Sequence, residues 1–76
     1  MNSYIVSFCD IESKESWIKR FEAQSYESCQ NKVKNYLLNQ YDWDDDIEFS
    51  DKYNEFVEDM KDNDIIIGNI LDMELI

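Results

Sequence analysis

The chain has 76 residues, 43% of them hydrophobic and 14% aromatic, with no proline, one glycine and a formal charge of −11. That length confines it to one domain with a modest core, and so apolar a composition excludes a disordered acidic tail. The lack of histidine removes the usual general base and most zinc ligands, and a lone glycine excludes a phosphate-cradling loop.

The charge is unevenly placed. Residues 1–40 hold five acids and five bases, whereas residues 41–76 hold thirteen acids against Lys52 and Lys61, so the whole −11 belongs to the second half. Residues 1–76 are therefore read as a single domain with a neutral half, 1–40, and an acidic half, 41–76. Self-repulsion on that scale opposes folding, which suggests that the charge is kept for a purpose other than stability. The opening MNSYIVSFCD has no basic segment leading into an apolar stretch, and the longest apolar run, Ile65–Ile67, is far shorter than a membrane span. A soluble, cytoplasmic protein with no membrane partner is expected. Cys9 and Cys29 are too few for a secreted disulfide framework, so reduced, buried thiols are expected, with one disulfide as the other reading.

In chain order, residues 3–9 (SYIVSFC) place Tyr4, Val6 and Phe8 on one face at period two and predict a first strand. Residues 10–16 (DIESKES) read as a polar turn. Residues 17–23 (WIKRFEA) set Trp17, Lys19, Phe21 and Ala23 against Ile18, Arg20 and Glu22, a second strand pairing with the first as a hairpin. Ile18 breaks the pattern by falling on the polar face. Ser25, with Glu27 just beyond it, predicts a helix start. Tyr26, Cys29, Val33, Tyr36, Leu37 and Gln40 then form one helical stripe. Ser50 is read as the cap of a second helix, with Asp51 in its first turn where the macrodipole favours negative charge. Tyr53, Phe56, Val57 and Met60 supply its apolar face, and the helix is expected to stop around residues 62–64. In the closing IIIGNILDMELI, Ile65, Ile67, Asn69, Leu71, Met73 and Leu75 alternate with Ile66, Gly68, Ile70, Asp72, Glu74 and Ile76. Gly68 marks a bulge in one bent strand or, with Asn69, a turn between two short ones; the bent strand is favoured. The expected fold is α+β, order β-β-α-α-β: a three-stranded, mainly antiparallel sheet with both helices packed on one face. Trp17, Phe21, Tyr26, Tyr36 and Phe56 are expected in the core.

Chemistry is sparse. No nucleophile has an activator at a telling spacing. Asp42, Asp44 and Asp46 alternate like the first ligands of a calcium loop, but the sixth position, where glycine is needed, is Ile47, and the twelfth, where a bidentate glutamate is needed, is Tyr53. A non-enzymatic protein with no cofactor and no dedicated metal is expected. The charge reads better as a surface. Alternate residues of an extended segment lie about 6.6 Å apart, twice a rise of roughly 3.3 Å. Carboxylates three or four positions apart on a helix have Cβ atoms about 5–6 Å apart. Both spacings approach that of successive phosphates on a nucleic-acid strand. Asp42, Asp44, Asp45, Asp46, Glu48, Asp51, Glu55, Glu58, Asp59 and Asp62 would form a ladder of negative charge. A groove rich in Lys and Arg would accept that ladder in place of DNA or RNA. Trp43 is counted with them as a partner contact, while Tyr41, Trp43 and Phe49 either anchor the acidic loop to the core or meet the partner where bases would stack.

With its length, its −11 charge and the block DWDDDIEFSDKYNEFVEDMKDND, the chain resembles the small acidic phage-encoded inhibitors of host defence, the anti-CRISPR and DNA-mimic class. The resemblance is one of composition. It implies a partner that is a basic nucleic-acid-binding protein, such as a Cas effector, with no direct binding of nucleic acid by the chain itself. The other reading is a small structural or adaptor domain whose acids only solvate it. Either a monomer or a homodimer is compatible, since a three-stranded sheet leaves a free edge.

Overall fold

The computed structural model describes residues 1–75, with side chains as far as Glu74. Strands β1 (Asn2–Asp10) and β2 (Glu15–Ala23) form the expected hairpin, paired from Asn2↔Ala23 to Asp10↔Glu15. Both strands run longer than their alternation suggested, because the turn tightens to residues 11–14. Lys14 takes φ 60° at its end, and Asp10 Oδ1 accepts the Ser13 N–H at 3.2 Å, a local closure typical of aspartate. Tyr4, Val6, Phe8, Phe21 and Ala23 are buried on the inner face. Ile18 lies on the outer face, 70% exposed, so the break in its pattern is real.

Helix α1 (Tyr26–Gln40) begins as expected: Ser25 Oγ accepts the Ser28 N–H at 3.1 Å. Its stripe narrows to Cys29, Val33 and Leu37, all fully buried, with Tyr36 half-buried. Tyr26 and Gln40, the first and last residues of the helix, are exposed instead of buried. Tyr26 still stands edge-on to Tyr4 with ring centroids 6.3 Å apart. Helix α2 (Tyr53–Asp62) buries Phe56 and Met60 and half-buries Tyr53 and Val57, as its period requires. It ends where Asp64 adopts φ 66°, with its N–H donating to Lys61 O at 3.1 Å. Helix α1 packs over β2 and α2 over the third strand, both on one face of the sheet.

That third strand arrives in two pieces, β3 (Ile65–Ile67) and β4 (Leu71–Asp72), both antiparallel to β1, which is thus central. Phe8 pairs with Ile67 and Tyr4 with Asp72. Four steps along β1 therefore match five along its partner, the signature of a one-residue bulge. The bent strand is present, and the bulge corrects its expected facing. Ile65 and Ile67 are buried, but beyond Gly68 the phase reverses: Ile70 packs against the core and Leu71 is 50% exposed. The strand also ends earlier than expected. Asp72 Oδ1 accepts the Glu74 N–H at 3.0 Å and turns the chain into a 3-10 helix, α3 (Met73–Leu75). The facing expected for the side chains of Leu75 and Ile76 lies outside the described residues.

The sheet edges are blunted in two ways. Edge strand β2 carries Lys19 on its inner face, Nζ 5.0 Å from the Tyr36 ring centroid and 5.6 Å from that of Phe21. A charge held inward on an edge strand opposes a further strand. The opposite edge is short and broken by the bulge.

Gly68 lets the strand pass close to Ser7 just before the bulge. Its N–H donates to Ser7 O at 2.8 Å, and a Cβ there would lie 2.1 Å from Ser7 Oγ. Its φ is not positive, so the obstacle is that hydroxyl and not the backbone. Gly68→Ala is expected to cost about 1 kcal/mol in urea unfolding, and to cost nothing once Ser7→Ala is present, a coupling that a double-mutant cycle reads directly.

Candidate functional site: an acidic loop on an aromatic anchor

The loop between α1 and α2 is tied down ring by ring. Tyr41, Trp43, Phe49 and Phe56 follow one another with centroids 5.3, 5.1 and 5.7 Å apart, and Phe56 is fully buried. Trp43 Nε1–H donates to Leu37 O at 3.1 Å, satisfying one of the free carbonyls in the last turn of α1. The Tyr41 hydroxyl donates to Asp10 Oδ2 at 3.1 Å, joining the loop to the end of β1. Burial, with Asp10 beside it, pushes the Tyr41 hydroxyl up to about 12. Between these anchors the Ile47 N–H donates to Asp44 O at 3.1 Å and closes a turn that carries Asp44, Asp45 and Asp46 outward.

Ser50 joins the loop to α2 by a route that corrects its expected role. It does not cap the helix: Lys52 is the N-cap and contributes no side-chain cap. Ser50 Oγ instead accepts the Lys52 N–H at 3.1 Å and donates to Glu55 Oε2 at 2.7 Å, while the Ser50 N–H donates to Asp59 Oδ2 at 2.9 Å. Binding the N–H two residues on turns the chain but delays the helix to Tyr53. Asp51 is therefore in the loop, its carbonyl accepting from Lys34 Nζ at 2.6 Å, and Glu55 is the acid of the first turn.

Of the ten acids in the expected ladder, Asp42, Asp44, Asp45, Asp46, Glu48, Asp51, Glu55, Glu58 and Asp62 are exposed, and Asp59 is half-buried against Ser50. Trp43 is half-buried and packs on the core, so its main work is anchoring. Among the described residues the one ion pair is Arg20–Glu22, 3.4 Å, in the neutral half. The ladder is thus left un-neutralised by the chain's own bases. The described residues bring no three His, Cys, Asp or Glu side chains together to hold a metal, Asp42, Asp44 and Asp46 included. Both cysteines are free; Cys29 is buried, which raises its thiol pKa. No described helix is long and apolar enough to cross a membrane. No family model, curated protein or solved structure matches the chain.

Sequence reading missed a second cluster, at the hairpin tip. Asp10, Glu15, Trp17, Tyr36, Gln40 and Tyr41 line one open slot there. Its members come from β1, β2, α1 and the start of the acidic loop, and no local spacing brings them together; a hairpin drawn from Tyr4 opposite Phe21 would have set Asp10 opposite Glu15.

Anchor and ladder make opposite demands on stability. Trp43→Ala is expected to cost about 2 kcal/mol in urea unfolding, since it removes a half-buried ring and a carbonyl's donor. Replacing Asp44, Asp45 and Asp46 together with asparagine is expected to raise stability by about 0.5–1 kcal/mol at low salt, with the gain fading towards 1 M salt, where the Debye length is about 3 Å.

Proposed function

We propose that the chain is a non-enzymatic inhibitor that binds a basic nucleic-acid-handling protein through its acidic half and blocks access of DNA or RNA. A CRISPR-Cas effector is the most specific target of that class. The observation that carries the reading is the ladder, which among the described residues forms no ion pair with the chain's own bases and is held on helix α2 and on a loop fastened to the core. A solvated acidic loop needs no such fastening, whereas a template for a basic groove needs charges at fixed separations. Pre-set geometry lowers the ordering cost of association, and the net charge of −11 accelerates the encounter with a basic surface.

The adaptor reading has one observation in its favour, the outer sheet face with Ile18 70% and Leu71 50% exposed. The inward Lys19 and the bulged far edge count against a homodimer built by strand pairing, so the proposed inhibitor acts as a monomer.

Salt separates the two. The immobilised protein is offered a lysate of a low-GC bacterium carrying CRISPR systems and eluted with rising salt, beside a variant with Asp44, Asp45 and Asp46 changed to lysine. A basic nuclease or effector released below about 0.5 M salt, competed away by its own nucleic acid and absent with the variant, is the expected result. A partner that survives that salt, ignores the variant and is lost with Ile18→Ser would establish the adaptor instead.

A further inference from the structure

We propose that the slot at the hairpin tip binds a guanidinium group, supplied by an arginine side chain of a protein partner. Three features of different origin converge there. Asp10 and Glu15 are paired directly across the hairpin on one face. Such residues have Cβ atoms about 4.5–5.5 Å apart, and like charges in that relation repel. No described lysine or arginine forms an ion pair with either. The second feature is the C-terminal end of α1, which presents the negative pole of its dipole through Gln40 and has no basic residue in its last turn. The third is a wall of Trp17, Tyr36 and Tyr41 rings, whose faces attract cations. Lys19 already exploits one of these rings from the neighbouring position, 5.0 Å from the Tyr36 centroid.

The carboxylate is prepared for this role. The Ser13 N–H and, more weakly, the Tyr41 hydroxyl hold Asp10 below the usual carboxylate range. Each donor engages a different oxygen, which leaves lone pairs for another donor. Two carboxylates beside flat rings suit a planar, multiply donating cation better than a compact ammonium. The source is taken to be a protein because Tyr41 belongs to both slot and acidic loop: the slot prolongs the ladder's surface, and a basic groove laid on the ladder brings arginines to it. This rests on the reading above and names one anchor of that partner.

The test needs no partner, so the two ideas can fail separately. The intact protein, 15N-labelled, is titrated with N-acetyl-arginine amide, the lysine analogue and the uncharged citrulline analogue. The expected result is a saturable shift of the Trp17 indole N–H and the Gln40 signals with arginine, roughly fivefold weaker binding with lysine and none with citrulline. Glu15→Gln, at an exposed position, and Asp10→Asn, which keeps the oxygen that accepts from Ser13 and offers its amide N–H to the Tyr41 oxygen, should each weaken the shift while leaving the rest of the spectrum in place. Absence of saturation, an equal response to citrulline, or shifts spread over residues 42–62 without a focus on Trp17 would overturn the proposal.

Discussion

From the fully buried Phe56 a run of rings leads outward through Phe49 and Trp43 to Tyr41. Everything distinctive about the acidic half depends on that run. Six like charges between residues 42 and 51 would drive an unanchored segment apart. Aromatic packing opposes this by burying large apolar surfaces at the points where the loop meets α1 and α2. The polar ties, Trp43 to the end of α1 and Ser50 to Asp59, then fix direction as well as proximity. The aromatic residues among the acids are thus the supports on which the acids are displayed.

The same logic relates the two halves of the chain. The neutral half builds the hairpin and α1, and Phe8 gathers Trp17, Phe21 and Tyr36 around it with centroids 5.4–6.4 Å apart. Tyr41 leaves that cluster's border, bonded to Asp10, and opens the acidic loop. The hairpin-tip slot and the acidic loop therefore share one residue, which makes them parts of one surface and gives the slot its place in the proposed interaction.

The amphipathic stripe of α1 and the alternation of β1 could be read directly, because each buries one face against one partner and the period carries that information. The third strand could be read only in part. Gly68 flagged a bulge, but a bulge changes the phase of every later residue, and local pattern does not reveal whether the extra residue is present; hence Leu71 faces solvent and Ile70 the core. Ser50 misled for a related reason. A serine before an apolar run can cap a helix or bend the chain two residues earlier, and Glu55 and Asp59, in the first and second turns of α2, decided for the bend. The acids of the ladder could be named from composition, and their exposure follows from charge. Their fixation could not, since the hydrogen bonds that provide it join residues from different elements, such as Tyr41 and Asp10.

The central claim is that residues 41–50 are held in one shape despite their charge. Backbone 15N relaxation tests it most directly. The account predicts order parameters in the loop close to those of α1 and α2, about 0.85, falling in Trp43→Ala. Values below about 0.6 across residues 42–48 in the unmodified protein would contradict it, and would leave the acids as a solvated, mobile segment with no template to offer.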